Sequence, residues 1–348
     1  MRGLSIATAA ILLLTATART QAVSFISRAI FADGKLWLLE EDGGLSTLVK
    51  DHPRTPVALD QPALDLIRDR NNPVIVSCDG ETCENWLVRR WTNGQWKIEA
   101  KIATAGDRLV ALANGDHIVL VTGRRIVDLR NGLQKTTEYK TAQQPSPNQG
   151  RITSTAVTAT HVWIGRDAGE WGGSLERIDL SSGASKDIKG DVPPFDPNKP
   201  SPAPPPNFSA NQGPIISNVN GLLPEPWNPR CLLVAQGLVH FMAMGEIVQV
   251  CGDKVLPFYR ADLKGHLGVP FYGLAKARNG NVWAAGIDGV YSLGRDGRGQ
   301  RIPMPRFVTT GGASVGFATP DLALVLTDMH RHASMSGSAP MLVPLDSE

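Results

Sequence analysis

Residues 279–286 read Asn-Gly-Asn-Val-Trp-Ala-Ala-Gly, a turn followed by a short apolar strand with one tryptophan. The same phrase recurs as Asp33-Gly-Lys-Leu-Trp-Leu-Leu and as Thr160-His-Val-Trp-Ile-Gly. Weaker copies share the apolar strand without the tryptophan, and they begin at Pro73, Gly115, Gly237 and Pro320. Most copies stand about 40–45 residues apart, which is the period of a repeat architecture.

The surroundings of the best copy show what each repeat contains. Four short strands are predicted, separated by Gly-rich turns: 271–277, 281–285, 289–293 and 300–303. Four-stranded antiparallel units at this period predict an all-β fold of the β-propeller type. Seven four-stranded blades are favoured, with six or eight as the alternatives. A β-sandwich would not repeat a tryptophan-bearing strand at constant spacing, and β-helix coils are shorter.

One interval between copies is about twice the usual length. It contains residues 191–229, which are rich in proline and have little strand pattern. Proline fixes φ and removes a ladder donor, so this stretch is predicted to be a long surface loop inserted between blades four and five.

The first residues indicate export. A basic start, an apolar run from Leu4 to Leu14 and small residues after it are the parts of a secretory signal peptide. We expect residues 1–22 to be removed, with cleavage after Ala18 or Ala22, and residues 23–348 to form a single propeller domain. The run is too short to cross a bilayer, so the mature chain is expected to be soluble, without a membrane span, and periplasmic or secreted.

The four cysteines agree with an oxidising compartment. Cys78 and Cys83 flank a short turn and are predicted to form a disulfide. Cys231 and Cys251 are placed at the start of a first strand and the end of a third, which is too far apart for a bridge. The pairing of these two stays open, because exported proteins rarely keep two free thiols.

Composition excludes several classes of function. The chain has 35 Lys and Arg against 33 Asp and Glu, a net charge of +2, so it lacks the basic footprint of a nucleic-acid-binding protein. The sialidase Ser-x-Asp-x-Gly-x-x-Trp box and the phosphate-binding loop are absent from the sequence. No cofactor is expected.

The phrases Val162-Trp-Ile-Gly, Lys35-Leu-Trp and the run from Val282 to Tyr291 resemble the repeats of two-component-regulator and YVTN-type propeller proteins. Such repeats carry structure rather than chemistry. The resemblance implies a seven-bladed architecture without shared catalytic residues. Trp37, Trp163 and Trp283 are expected to pack between neighbouring sheets.

Propeller topology gathers the unusual segments on one face. Turns between second and third strands lie on the same side as the links from one blade to the next. We place there the loop 191–229 and three turns, at 79–83, 166–173 and 328–337. Loops on a rigid scaffold are where propellers bind ligands.

The candidate ligand-binding residues in these segments are Arg166, Asp167, Glu170, Trp171 and Trp227. Weak candidates for metal ligands are Asp328, His330 and His332, since alternate residues of an extended strand share one face.

These observations favour a non-enzymatic binding or scaffold protein, expected to be monomeric, that uses its loop-rich face to bind a protein or carbohydrate partner. The alternative is an extracytoplasmic hydrolase or lyase acting on a carbohydrate. It would use Asp167 and Glu170 as an acid–base pair, assisted by His330 or His332.

Overall fold

The computed structural model describes residues 26–49, 53–115, 117–138, 150–190, 216–240, 242–277, 279–303, 313–319, 322–327 and 341–344. Among these residues the regular elements are β-strands, together with one short 3-10 turn at Gly169–Trp171. Residues 1–25, which include the predicted signal peptide, lie outside the described residues. The described part of the chain contains no helix that is long and apolar enough to cross a membrane.

Six sheets have four strands each, in sequence order from the centre outwards. Blades one and two are formed by β1 (Ile26–Ala32), β2 (Lys35–Glu40), β3 (Leu45–Leu48), β4 (Thr55–Val57), β5 (Ala63–Asp69), β6 (Asn72–Cys78), β7 (Asn85–Thr92) and β8 (Gln95–Ala103). Blades three and four are formed by β9 (Leu109–Asn114), β10 (Ile118–Thr122), β11 (Arg125–Arg130), β12 (Leu133–Glu138), β13 (Arg151–Val157), β14 (His161–Asp167), β15 (Gly173–Asp179) and β16 (Ser185–Ile188).

Blades five and six are formed by β17 (Val219–Pro224), β18 (Cys231–His240), β19 (Met242–Cys251), β20 (Lys254–Tyr259), β21 (Phe271–Lys276), β22 (Val282–Gly286), β23 (Gly289–Leu293) and β24 (Gly299–Pro303). The last sheet has three strands among the described residues: β25 (Ala313–Thr319), β26 (Leu322–Thr327) and β27 (Met341–Pro344).

The β-propeller prediction is confirmed, and the number of blades is corrected. The sequence favoured seven four-stranded blades, with six as an alternative, whereas the described residues form six four-stranded blades and a last sheet of three strands. The first strand of each sheet lies beside the first strand of the next, and β1 lies beside β25, so the inner strands form a closed ring.

Bulges at the start of inner strands tie neighbouring blades together. Thr153 and Asn220 each sit at a break in strand register. The Asn220 Nδ2 amide donates to the carbonyl oxygens of Gly237 in its own blade and Phe271 in blade six, both at 2.9 Å. The Thr153 hydroxyl similarly donates to the carbonyl of Gly165, at 3.2 Å, and to that of Val219 in blade five. Bulges re-aim side chains, and here they link adjacent blades.

The core lies between the blades, because both faces of each sheet are covered by a neighbouring sheet. Trp37 packs in a cluster between blades one and two, and Trp163 packs in one between blades four and five. Trp283 is also buried. The expectation that these three residues serve the core is confirmed.

The predicted loop 191–229 extends too far at its C-terminal end. Residues 191–215 lie outside the described residues, but Val219–Pro224 is the inner strand of blade five. The error arose because proline at 224 was read as a loop signal, whereas it closes the strand.

This shift also resolves the second cysteine pair. Cys231 begins the second strand of blade five rather than the first, and it lies directly opposite Cys251 on the adjacent strand. The Cα atoms are 4.4 Å apart, and the disulfide is formed. The argument against this bridge was therefore wrong, and the predicted bridge between Cys78 and Cys83 is confirmed.

Candidate functional site

The two faces of the ring differ in their connections. We call the loop face the side that carries the turns between second and third strands and the links between blades. It includes the turn 168–172 of blade four, the tip of the β18–β19 hairpin and the link 260–270. The opposite face carries the first-to-second and third-to-fourth turns.

On the loop face, the turn of blade four is held by side-chain amide and carboxylate groups. One carboxylate oxygen of Asp167, Oδ1, accepts hydrogen bonds from the Gly169 amide at 2.7 Å and from Asn218 Nδ2. The same Asn218 amide donates to the carbonyls of Gly169, at 2.6 Å, and Gly172, at 3.0 Å. Asn218 is only 3% exposed. A buried amide from blade five thus fixes a turn of blade four.

Trp171 projects from this fixed turn and is 85% exposed, more than any other large hydrophobic residue of the described chain. Glu170 beside it is also exposed. Arg166 lies behind the turn, where its guanidinium is 3.7 Å from the Glu176 carboxylate. Arg166 and Asp167 are thus the last residues of β14, Glu170 and Trp171 lie in the turn that follows, and of these four only Glu170 and Trp171 are exposed.

Trp227 does not lie on the loop face, where the sequence analysis placed it with the loop 191–229. It lies between β17 and β18, in a first-to-second-strand turn, and therefore on the opposite face. Its ring stacks on Phe258 with a centroid distance of 6.1 Å, and it packs against the core of blades five and six. The error followed from reading residues 191–229 as one loop.

The predicted metal ligands Asp328, His330 and His332 lie outside the described residues. Among the described residues, the group whose potential ligand atoms lie close together is Glu225, Cys231 and Cys251. Its two sulfur atoms are bonded to each other, so they are not thiolate ligands.

A feature that the sequence reasoning missed is the long hairpin of blade five. Its strands β18 and β19 have ten residues each, whereas the equivalent strands of blade six have five. The hairpin extends the loop face beside the 3-10 turn of blade four, which packs against β18. Val239 and Met242 near its tip are 46% and 41% exposed.

The two faces of this hairpin point to different blades. Leu232 and Val234 pack against blade four, and Leu233 and Ala235 pack against blade six. Since side chains alternate along a strand, the side of Leu238, Met242 and Met244 faces blade four, and the side of Val239 faces blade six.

The link between blades five and six supports the hairpin. The Ala243 amide donates to His266 Nδ1 at 3.1 Å, and the Leu267 amide donates to the Ala243 carbonyl at 2.9 Å. On the inner edge, the Gly237 amide donates to the Asn218 carbonyl at 3.1 Å. The hairpin and the Trp171 turn are therefore connected through Asn218.

An acidic group lies at the base of the hairpin on the side that faces blade four. The buried Gln236 side chain accepts a hydrogen bond from the Ser217 amide at 2.9 Å and donates to Glu246 at 3.2 Å. Burial raises the pKa of Glu246, while the nearby Arg260 guanidinium and the bond from Gln236 oppose this shift.

The opposite face carries two clefts in which some of the charged groups are paired within the protein. A cleft of about 560 Å³ lies between blades two and three, where Arg90 bonds both Asp69 and Glu99. A cleft of about 370 Å³ lies between blades three and four, where Arg130 bonds Asp128. The loop face differs from the opposite face in carrying the exposed Trp171 ring.

Fold and site together define the molecule as a β-propeller with an aromatic turn on its loop face. Solved structures similar to it include the extracellular domain of the proposed one component system BT4673 from B. thetaiotaomicron, at 16% identity and a TM-score of 0.52. The match covers 93% of this chain and 39% of that one, so this chain spans about two fifths of its length.

Virginiamycin B lyase from Staphylococcus aureus is similar at 13% identity and a TM-score of 0.51, over 88% of this chain and 93% of that one. The Neurospora crassa Pan2 WD40 domain is similar at 10% identity and a TM-score of 0.50, over 87% of this chain and 86% of that one. At these identities the likeness shows the fold alone. It confirms, at that level, the resemblance to two-component-regulator and YVTN-type propellers.

No protein-family model matches the chain. No curated protein matches it by sequence.

Proposed function

We propose that this chain is an exported, non-enzymatic propeller that binds a protein or carbohydrate partner through its loop face, with Trp171 at the centre of the contact. The observation that carries the proposal is a tryptophan 85% exposed on a turn fixed by hydrogen bonds from a buried asparagine. A rigid aromatic side chain binds at small cost in conformational entropy, and tryptophan is enriched among the residues that dominate binding energy.

The structure gives the enzymatic alternative little support. Asp167, one half of the suggested acid–base pair, accepts hydrogen bonds from Gly169 and Asn218 and thereby holds the turn. This explains Asp167 without a role in catalysis.

Export rests on the signal-like residues 1–22 and on the two disulfides, since bridges of this kind persist in oxidising compartments. We propose that the mature chain from residue 23 onwards is a single propeller domain.

The test compares partner recovery by the full chain and by Trp171→Ala. Each is immobilised, exposed to the exported fraction of the source cells and washed, and bound proteins and glycans are quantified by mass spectrometry. The variant is expected to lose about tenfold or more of a specific partner.

The matched control is Leu133→Ala, which removes another exposed hydrophobic side chain, 74% exposed, from the opposite face. It should recover the partner as the unchanged chain does. Equal recovery by all three proteins would exclude Trp171 as the binding centre.

A further inference from the structure

We infer that the partner is a protein, and that it presents a segment combining apolar and basic residues to a groove between the Trp171 turn and the hairpin side that faces blade four. This inference rests on the proposed function and names the partner class for the same site.

The walls of the groove are apolar and adaptable. One wall is Trp171. The other is the row Leu238, Met242 and Met244, in which Met242 is exposed and the other two are half-buried. Methionine is unbranched and polarisable, so it fits side chains of varied shape and is frequent on peptide-binding surfaces.

The charge around the groove is negative, although the chain as a whole carries +2. Three carboxylates lie at the turn and at the base of the hairpin, on Asp167, Glu170 and Glu246. One guanidinium group accompanies them, that of Arg260 near Glu246. Opposite charges favour encounter and fix orientation, so the groove complements Lys or Arg among apolar residues. A cation can also lie over the face of Trp171.

A sugar fits this surface less well than a peptide does. Sugar hydroxyls need side-chain carboxylates and amides beside the aromatic ring. Two polar groups of the turn, Asp167 Oδ1 and the Asn218 amide, are already bonded to each other and to the turn backbone. What the groove offers is an aromatic ring, thioethers and net negative charge.

The experiment selects from a phage-displayed library of random twelve-residue peptides on the full-length protein. Counter-selection on Trp171→Ala removes peptides that bind elsewhere. Selected sequences are expected to be enriched in Lys or Arg together with apolar residues. A representative fluorescent peptide should bind about tenfold or more weakly to Trp171→Ala and to Met242→Ser, and its affinity should fall as salt is raised.

The hairpin supplies a matched control. Val239→Ser changes a residue of similar exposure on the side that faces blade six, and it should leave peptide affinity unchanged. Glu170→Lys should lower the affinity for the basic peptide. It should not alter the fold, because Glu170 is exposed.

The inference falls if no peptide is enriched, if the selected peptides show no basic bias, or if Val239→Ser weakens binding as much as Met242→Ser. Recovery of a glycan that depends on Trp171 would sustain the proposed function and overturn this inference. The same conclusion would follow if no peptide binds and analytical ultracentrifugation shows a dimer that Trp171→Ala dissociates.

Discussion

Two regions of this propeller use tryptophan in opposite ways. Between blades one and two, Trp37, Trp91 and Trp96 pack edge to face, with centroids 5.1–5.6 Å apart, and Trp37 is fully buried. In blade four, Trp171 stands on a turn and is exposed. Strand tryptophans bury area between sheets and stabilise the fold, whereas the turn tryptophan is held in place by hydrogen bonds that do not involve its ring.

The largest effect is expected from Trp37→Ala. This change removes the centre of the three-ring cluster and the hydrogen bond from Trp37 Nε1 to the Ala32 carbonyl, 3.0 Å long. Burial of a large aromatic side chain predicts a loss of about 3–5 kcal/mol in the free energy of unfolding. Urea unfolding followed by circular dichroism measures it, and a loss below about 1 kcal/mol would contradict the assigned core role.

The two disulfides extend the same contrast between strands and turns. Cys231 and Cys251 join two strands across 20 residues of sequence, and Cys78 and Cys83 close a turn across five. In the chain-entropy model the longer loop stabilises by about 3 kcal/mol and the shorter by about 2 kcal/mol. Double Cys→Ala variants of each pair, compared by urea unfolding, should keep that order. The reverse order would show that strain in the folded protein, or structure in the denatured state, determines how much each disulfide stabilises.

The turn itself is tested by Asn218→Ala. The change deletes an amide that satisfies Asp167 Oδ1 and the carbonyls of Gly169 and Gly172. These acceptors keep the backbone amides of Gly169, Gly172 and Ala168 as partners, so the variant loses only the hydrogen bonds from Asn218, one of them to a charged group, which predicts a loss of about 1–3 kcal/mol.

The control for that variant is Asn281→Ala, whose amide reaches a single partner, the Ser292 hydroxyl at 3.2 Å. Asn281→Ala should lower the free energy of unfolding by clearly less than Asn218→Ala does. Equal losses for Asn218 and Asn281 would mean that the Trp171 turn is held by its backbone alone.

The strand pattern made the architecture predictable, because the apolar phrases around Trp37, Trp163 and Trp283 recur at the blade period. The long hairpin was missed for a physical reason. Gly237 was read as the turn that begins a repeat, yet a Cβ there, or at Gly245, would lie 2.5 Å from Pro270 Cα. Here glycine permits close packing with the next blade. A single sequence does not distinguish that use from a turn.

The site was predictable only in part. The Gly-rich stretch around Trp171 marked an enlarged turn and placed it on the correct face. Its attachment to Asn218 depends on contact between residues 46–51 positions apart in the chain. No local pattern reports such a contact, and the misplaced start of blade five moved Trp227 to the wrong face.

A smaller, pH-dependent effect is expected from Glu246→Gln. Burial raises the pKa of Glu246 in the folded protein, so its charged form is disfavoured there. The protonated form contributes stability below the unfolded pKa of about 4.3, and this contribution is lost as the pH rises through the folded pKa.

Glutamine keeps the oxygen that accepts from Gln236 and removes the charge. The variant should therefore have a higher Tm than the unchanged chain at pH 7 and the same Tm at pH 4. A lower Tm at pH 7 would show that the attraction to Arg260 outweighs the cost of burial.

The smallest effect on stability is expected from Trp171→Ala. Its ring is exposed, and the hydrogen bonds of the turn come from Asp167, Asn218 and the backbone. The free energy of unfolding should therefore change by no more than about 0.5 kcal/mol. The loss predicted for Trp37→Ala is about 3–5 kcal/mol. Urea unfolding of the two variants under one condition compares them directly. A loss above about 2 kcal/mol would mean that Trp171 packs on part of the chain, and the binding role of the loop face would then lose its basis. An unchanged stability together with lost partner binding would show that this tryptophan serves recognition and not the fold.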